Sequence, residues 1–293
     1  VKVVRGITMF GMSFVFVIFE DGTDLYWARS RVLEYLSKLQ GKLPEGVAPQ
    51  LGPDATGVGW IYQYALVDET GKHNLQELRS FQDWYLRYWL SSIPGVAEVA
   101  SVGGYAKEYQ VEIDPVKLQA YRLSIAAVKN AIQMSNNDVG GRVIEMAEHE
   151  YFVRGRGYIT DKKMLEAVVV GTDNKGTPVL IKDIGRVQIG GNIRRGLAEL
   201  DGLGEVAGGI VVMRHGENAL SVINRVKQKM QEMQPAFPKG VKPVVTYDRS
   251  DLIKHSLKTL TTATIEEIIA VSLIIFLFLF HIGSALIAII AFI

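Results

Sequence analysis

The last 26 residues, from Ile268 to Ile293, carry no formal charge, and His281 is the only strongly polar side chain among them. A hydrocarbon core about 30 Å thick requires roughly 20 apolar residues in a helix, and a soluble core helix is rarely apolar on every face for so long. We therefore expect this run to enter a membrane. The polar patch from His281 to Ser284 leaves two alternatives open, one long span or one span and the beginning of a second.

The part of the chain before Glu267 has the composition of water-soluble domains. Lys plus Arg (32) and Asp plus Glu (31) nearly cancel, so no sequence-wide basic field exists and no nucleic-acid partner is expected. Cysteine is absent, which excludes disulfides and thiolate metal sites. Because the chain begins at Val1 without an initiator Met and stops inside an apolar run, we expect it to be a fragment of a longer membrane protein.

The N-terminal part predicts a β-hairpin followed by a helix. The segment Ser13 to Phe19 is β-branched and aromatic, follows a turn at Gly11, and is expected to pair with Val1 to Arg5. Asp24 is placed to cap a helix. The apolar residues of that helix recur at helical spacing and are Tyr26, Val32, Leu33, Leu36 and Leu39.

A second copy of this unit is found, without a gap, by adding 194 to each residue number. Matching Gly, Pro and cap positions reflect matching backbone needs, so we interpret the match as an internal repeat of one strand-helix-strand unit. Chance similarity of two amphipathic helices is the alternative, but helicity does not require the Pro, Gly, Val and Pro that end both copies. The matched pairs are Gly22 and Gly216, Asp24 and Asn218, Arg31 and Arg225, Val32 and Val226, Pro44 and Pro238, Gly46 and Gly240, Val47 and Val241, and Pro49 and Pro243.

Three elements between the copies complete the second repeat. We predict a strand at Trp60 to Val67, a helix at Leu75 to Leu90 and a strand at Gly95 to Val102, with the second half of the repeat at Leu197 to Asp248. The segment Tyr105 to Gly191 is then an insertion. The resulting organisation is two α/β repeats, the second interrupted, followed by a membrane segment.

The insertion is predicted to begin with a strand at Glu108 to Ile113 and to continue in helical segments through Met134. Gly-rich strands follow between Val139 and Gly157. Two short strands, Val179 to Ile181 and Val187 to Ile189, are predicted to end it.

Several stretches resemble the resistance-nodulation-division transporters, and among them the heavy-metal efflux branch. The longest, Tyr26 to Leu36, is most similar to the pumps that export monovalent copper and silver. The other stretches are Phe19 to Asp24, Leu51 to Gly57, Ile93 to Val96 and Thr246 to Ser250. The resemblance covers essentially the whole chain, and it is more specific for the family than for the metal.

The resemblance implies an α+β fold of repeated ferredoxin-like β-α-β porter subdomains with an inserted docking subdomain, followed by a transmembrane α-helix. The implied divisions are residues 1–58 for a partial first porter subdomain, 59–105 and 196–248 for the second, 106–195 for the docking subdomain, and 249–293 for a connecting segment, transmembrane helix 2 and the start of helix 3. In this view His281 to Ser284 lies at a cytoplasmic turn, and Asp24 to Gln40 is a helix that lines a trimer axis.

The resemblance further implies a proton-driven efflux pump for Cu(I) or Ag(I), and not an enzyme, which works by alternating access in a homotrimer. The expected partners are a periplasmic membrane-fusion (adaptor) protein, an outer-membrane channel protein and the lipid bilayer of the bacterial inner membrane, with the soluble part in the periplasm. No cofactor is expected, because the metal is cargo. Two alternatives remain open: an exporter of divalent Zn, Co or Ni or of drugs from the same superfamily, and a membrane-anchored periplasmic binding or sensor module.

Met9 and Met12 are the candidate metal ligands in this chain. They lie three residues apart around Gly11, and thioethers suit Cu(I) or Ag(I). Against this, soft-metal sites usually need a third ligand, and Met commonly fills gaps in cores. The resemblance places the main substrate-binding methionines and the proton-carrying carboxylates outside this chain.

The other candidate groups are expected to be structural. Met230 and Met233 take the places of Leu36 and Leu39 in the repeat, so we predict that both lie in the core. The histidines show no close ligand spacing and are expected at surfaces or interfaces; they are His73, His149, His215, His255 and His281. An aromatic cluster runs around one helix, so part of it must contact solvent or another chain; its members are Trp84, Tyr85, Tyr88 and Trp89.

Overall fold

The computed structural model describes residues 1–9, 11–39, 41–44, 46–193, 196–279 and residue 287. The predicted turn at 281–284 and the predicted helix end at Gln40 lie outside these residues. In chain order the strands and helices are β1 (Val3–Met9), β2 (Met12–Ile18), α1 (Leu25–Ser37), β3 (Trp60–Asp68), α2 (Leu75–Phe81), α3 (Arg87–Ser91), β4 (Val96–Gly103), β5 (Lys107–Ile113), α4 (Pro115–Ala120), α5 (Ile125–Ser135), β6 (Val139–Met146), β7 (His149–Gly155), α6 (Lys162–Glu166), β8 (Val169–Thr172), β9 (Pro178–Leu180), α7 (Ile181–Ile184), β10 (Gly185–Gly191), β11 (Ala207–Met213), α8 (Ala219–Met233), β12 (Val241–Asp248) and α9 (Arg249–Leu279).

The predicted N-terminal hairpin and helix are both present. Strands β1 and β2 pair antiparallel along their whole length. The Asp24 carboxylate accepts a hydrogen bond from the Trp27 N–H at 2.7 Å, which satisfies one of the free donors of the first turn and begins α1 as predicted. Helix α1 ends at Ser37, before the end of the predicted range, and the N–H of Lys38 closes its last turn on the carbonyl of Tyr35.

Backbone geometry confirms the internal repeat. Helix α8 begins after Asn218, whose side chain caps its first turn in the way that Asp24 caps α1. Gly22 and Gly216 have left-handed φ angles of 82° and 84°, and Gly46 and Gly240 have φ angles of 82° and 87°. A residue with a Cβ adopts this region only at a cost. The matching glycines therefore reflect the same chain path in both copies.

The second repeat is a complete ferredoxin-like unit. Its four-stranded antiparallel sheet has the order β12-β3-β11-β4. When the four strands are numbered 1 to 4 along the chain, this is the order 4-1-3-2 of a ferredoxin-like sheet. Helices α2, α3 and α8 pack on one face of this sheet. The fully buried core residues include Ile61, Leu66, Leu86, Leu90, Val99, Val211, Val222, Ile223 and Val226. This arrangement confirms the α+β class with a ferredoxin-like repeat.

The predicted helix from Leu75 to Leu90 is present, but it contains a π-helical stretch at Gln82–Leu86 between α2 and α3. The stretch places the Gln82 side chain in the core, where it is fully buried. Its Oε1 accepts a hydrogen bond from the Tyr64 hydroxyl at 2.7 Å, and its Nε2 donates to the Ser101 hydroxyl at 3.3 Å. The wider π-helical turn thus lets the buried Gln82 amide form both hydrogen bonds. The regular spacing of apolar residues in an α-helix does not predict this stretch.

Tyr64→Phe is expected to destabilise this repeat by about 1–3 kcal/mol, because it leaves the buried Gln82 carbonyl without its donor. Thermal unfolding of the full-length protein and hydrogen exchange in β3 measure the loss. The double variant Tyr64→Phe with Gln82→Leu serves as the control, because removing both partners is expected to cost less than the sum of the single changes. Simple additivity would contradict the proposed dependence of Gln82 on Tyr64.

The aromatic cluster on this helix divides as predicted. Trp84 is 85% exposed and Tyr88 is 68% exposed, whereas Tyr85 packs against the core beside Phe81. The Lys229 ammonium of α8 lies 5.1 Å from the centre of the Trp89 ring. One side of the helix is therefore part of the core, and the other presents aromatic rings to the outside of the chain.

The chain between β4 and β11 contains a second hydrophobic core, separate from that of the sheet. Its buried residues are Val128, Leu165, Val168, Val170, Val179, Ile181, Ile184 and Val187. Strand β5 pairs with β10, β6 with β7, and β8 with β9, all antiparallel. The insertion therefore has the core of an independent unit.

One strand prediction within the insertion is wrong at its end. Ile181 was expected in a strand, but β9 ends at Leu180 and Ile181 begins α7. The Leu180 N–H donates to the Asp183 carboxylate at 2.8 Å, so this side chain turns the backbone into the helix. The aliphatic run Val179 to Ile181 favours a strand, but the hydrogen bond from the start of α7 to Asp183 outweighs this preference at Ile181.

Helix α9 is continuous from the end of the second repeat into the apolar run, over 31 residues. The 29 residues Arg249–Leu277 meet the length and composition of a membrane span, and none of the most apolar window is buried against the rest of the described chain. The connecting segment predicted before the span is therefore helical.

Candidate functional site

The structure brings the predicted ligands Met9 and Met12 together. They are direct cross-strand partners at the closed end of the β1–β2 hairpin. Opposite residues of an antiparallel pair project to the same face with Cβ atoms about 4.5–5.5 Å apart. Both side chains are exposed, by 53% and 42%. The pair is thus an open, two-thioether arrangement at a hairpin tip.

Carboxylate and imidazole groups of the described residues are arranged differently from this methionine pair. No group of three or more His, Asp or Glu placed to hold a metal ion occurs in the part of the chain that the structure describes. Met230 and Met233 are buried at 5% and 4% exposure in the core of the second repeat, as predicted from their places in the repeat. The exposed methionines of the hairpin tip are therefore distinct from the core methionines.

Asp54 joins the two repeats. Its carboxylate accepts a hydrogen bond from the Tyr26 hydroxyl of α1 at 3.1 Å and lies 3.4 Å from Nε of Arg214, which follows β11. Its backbone carbonyl accepts from the His215 N–H at 2.9 Å. The hydrogen bond to Asp54 raises the pKa of Tyr26 above its ordinary value. One residue therefore connects the helix of the first repeat to the sheet of the second.

Asp248 occupies the same position in the second repeat, 194 residues after Asp54. Its carboxylate pairs with the Lys227 ammonium of α8 and accepts from the Ser250 N–H at 2.8 Å. Lys227 also donates to the Ser250 hydroxyl at 3.1 Å, and Ser250 is fully buried in the first turn of α9. Burial alone would raise the pKa of Asp248, but these hydrogen bonds outweigh it and hold the pKa below its ordinary value.

These contacts clamp the start of the apolar helix into the second repeat. The Arg249 guanidinium also donates to the Val58 carbonyl, which precedes β3. A displacement of α9 therefore acts directly on α8 and on the segment that leads into the sheet. The sequence analysis predicted none of the contacts at Asp54 and Asp248. The repeat offset aligns the two aspartates with each other, but it does not show their partners.

Asp248→Asn is expected to weaken this clamp by about 1 kcal/mol at neutral pH, a value between those of exposed and buried ion pairs. Because the folded-state pKa is depressed, the wild-type contribution is present above the ordinary pKa of 3.8 and is lost as the pH falls through the lower folded-state value. Hydrogen exchange at the start of α9, measured from pH 7 to well below pH 3.8, should show this acid loss in the wild type and not in the variant. Asp251→Asn, which removes the same charge three residues further on, in the first turn of α9, is the control. Equal pH profiles for wild type and Asp248→Asn would contradict the assignment.

The two repeats and the inserted unit lead into a helix that is long and apolar enough to cross a membrane. The chain belongs to the AcrB/AcrD/AcrF family, whose sequence model matches residues 1–292. The resistance-nodulation-division family predicted from the sequence is thereby confirmed.

Individual relatives agree with this assignment. The chain is 56% identical over 290 residues to the cation efflux system protein CusA of Escherichia coli (strain K12), covering 99% of this chain and 28% of CusA. It is 38% identical over 290 residues to the cobalt-zinc-cadmium resistance protein CzcA of Cupriavidus metallidurans, covering 97% of this chain and 27% of CzcA. The chain therefore spans less than a third of the length of these curated relatives.

A solved structure shows the same fold. The crystal structure of a heavy metal efflux pump, in its crystal form II, superposes with a TM-score of 0.87 and 33% sequence identity. The match covers 98% of this chain and 29% of that chain. The four-stranded sheet, the insertion and the long apolar helix are thus those of a heavy-metal pump fold.

Proposed function

We propose that this chain is the periplasmic porter and docking part, with the following membrane helix, of a proton-driven efflux pump for Cu(I) and Ag(I). The observation that carries the proposal is the 56% identity to the cation efflux protein CusA, against 38% to the cobalt-zinc-cadmium resistance protein CzcA. The segment from Tyr26 through Leu36 resembles the copper and silver exporters, and this favours the monovalent metals over the divalent ones.

The proposed mechanism is alternating access, in which porter subdomains move against one another and against the membrane helices. The structure offers suitable contacts for such motion. The first repeat contacts the second through the Asp54 cluster, and the second repeat contacts α9 through Asp248, Lys227 and Ser250. Movement of the membrane helix would thus reach the sheet through a short chain of polar contacts, and proton flux through the membrane part would drive it.

The proposed division of the chain follows the two hydrophobic cores. Residues 59–105 and 196–248 form the second porter subdomain around the first core, and residues 106–195 form the docking subdomain around the other. Residues 1–58 form a partial first porter subdomain. Residues 249–293 lead into the membrane as helix 2 and the start of helix 3.

The exposed β6–β7 hairpin supports a contact with a neighbouring subunit, which we propose to be part of a homotrimer. An isolated two-stranded hairpin is marginally stable in water at best, yet every residue of both strands is exposed. Its large apolar side chains include Phe152, which is 83% exposed, and Val139, which is 61% exposed. We infer that a neighbouring subunit covers this hairpin. A periplasmic adaptor protein, an outer-membrane channel and the inner membrane complete the proposed assembly, with the repeats in the periplasm.

Met9 and Met12 are proposed as a weak, transient contact for the exported cation. Two thioethers on one face suit a soft monovalent ion, and the exposure of both side chains leaves room for exchange. The double variant Met9→Leu with Met12→Leu should reduce silver resistance if this contact is used. Met164→Leu, at another exposed methionine, is the matched control.

The function is tested in a pump-deleted host given the full-length gene and its partner proteins. Metal sensitivity and intracellular copper and silver are measured, with zinc and cobalt in parallel. Lower copper or silver with restored growth is the expected result. Protection against zinc or cobalt alone would move the protein to the divalent exporters, and protection against none of the metals would overturn the efflux function.

A further inference from the structure

A second pair of metal-binding side chains closes the hairpin of the insertion. Met146 and His149 are direct cross-strand partners at the tip of β6–β7. The two residues between them, Ala147 and Glu148, have left-handed φ angles of 51° and 61°, as both central residues of a type I′ turn do. Opposite residues at such a turn project to the same face. The thioether and the imidazole therefore share one side of the hairpin end.

The turn holds this pair with a backbone that its residues disfavour. A type I′ turn is normally built from Asn and Gly, because both central residues adopt positive φ. Ala147 and Glu148 each have a Cβ and pay a steric cost for this conformation. Despite this cost, the strand register makes Met146 and His149 direct cross-strand partners. Unfavourable backbone of this kind is concentrated at functional positions.

The charge around the tip favours a cation. Glu145, Glu148 and Glu150 lie within three residues of the pair, and no Lys or Arg occurs between residues 143 and 153. Glu145 and Glu150 are themselves cross-strand partners, so they project to the face opposite Met146 and His149. The carboxylates therefore supply negative potential without forming one ligand set with the soft pair.

We propose that the Met146 sulfur and an imidazole nitrogen of His149 bind a soft monovalent cation, Cu(I) or Ag(I), at the tip of the β6–β7 hairpin. Thioether ligands select Cu(I), and imidazole also binds copper. A hard divalent ion would need several oxygen ligands, and the described residues contain no group of three His, Asp or Glu side chains that would supply them. The choice of cation rests on the proposed function, whereas the pairing of the two ligands rests on the hairpin itself.

The test is a titration of the full-length protein with Ag(I), observed through the methyl resonances of ¹³C-methyl-labelled methionine. The Met146 signal is assigned as the one missing in Met146→Leu. We expect this signal to shift on addition of Ag(I) and the Met134 signal to stay in place, since Met134 is 82% exposed, lies in helix α5 and serves as an internal control.

The role of His149 is tested by two substitutions of different chemistry. His149→Phe is expected to weaken binding at Met146 by more than the roughly 10- to 100-fold that follows loss of a group that only orients a metal ligand. His149→Met, which restores a soft ligand, is expected to retain the titration. An unshifted Met146 signal, or an unchanged titration in His149→Phe, would overturn the site.

The outcome for the site is separable from that for the pump. If the Met146 signal does not shift on addition of Ag(I) in a protein that still confers silver resistance, this site is refuted and the proposed function is retained. A Met146 signal that titrates in a protein without any metal resistance would support the site and refute the efflux function.

Discussion

Gly103→Ala is expected to destabilise the second repeat by about 2–5 kcal/mol, the sum of roughly 1–2 for left-handed backbone and 1–3 for overpacking. Gly103 ends β4 with φ of 63°, where the chain leaves the sheet for the insertion. An added Cβ would overlap the Val206 carbonyl oxygen and lie 2.7 Å from the Ala198 Cβ. Both neighbours belong to the segment by which the chain returns to β11, so the methyl group would separate the two ends of the insertion.

Gly71→Ala is the matched control for this effect. Its φ is 65°, but an added Cβ meets no heavy atom within 4 Å among the described residues. Only the conformational cost of about 1–2 kcal/mol is therefore expected there. Hydrogen exchange in β4 and β11 and the apparent melting temperature of the full-length protein measure both variants. Equal losses at the two glycines would show that the close approach at Gly103 does not matter.

Leu66→Ala is the second large effect, a loss of about 2–5 kcal/mol. Leu66 lies in β3, one of the two central strands, is fully buried, and belongs to the core between the sheet and its helices. Deleting its side chain removes apolar burial and leaves a cavity that close-packed neighbours fill only in part. The same unfolding measurements report the change.

Two substitutions control for causes other than the cavity. Leu66→Met nearly conserves volume and should cost less than about 1.5 kcal/mol. Leu203→Ala, at a side chain that is 88% exposed, should leave stability within about 0.5 kcal/mol of wild type. A Leu66→Ala variant as stable as Leu203→Ala would mean that this core does not stabilise the repeat.

The repeat could be predicted from the sequence because its signals are local. The caps at Asp24 and Asn218, together with the paired glycines that need positive φ, mark the same turns in both copies. Alternating and helical apolar patterns then gave the strands and helices of the sheet. The order of the strands, by contrast, depends on long-range pairing, and the family resemblance implied only the ferredoxin-like class.

The features that the sequence did not reveal depend on contacts across the fold. The π-helical stretch follows from the buried amide of Gln82, whose partner Tyr64 lies on another element. The link from Asp54 to Arg214 joins residues far apart in the chain. Neither residue type nor spacing indicates such pairs before the sheet brings them together.

The hairpin pairs show the same limit for candidate metal ligands. Met9 and Met12 stand out in the sequence because both are methionines, whereas Met146 and His149, at the same spacing, combine two residue types and do not. Only the register of β6 and β7 shows that the latter two are opposite each other. In the sequence, the signal for this pair is a thioether and an imidazole three residues apart, around a predicted two-residue turn.

Transport by the purified full-length protein in sealed vesicles tests the central claim most directly. An imposed proton gradient is combined with Ag(I), Cu(I), Zn(II) or Co(II), and metal movement and internal pH are recorded together. Movement of Ag(I) and Cu(I) against proton flow, abolished by a proton ionophore and absent for Zn(II) and Co(II), is the predicted result. Proton-coupled movement of the divalent ions instead, or no coupling between metal and protons, would contradict a monovalent-metal efflux pump.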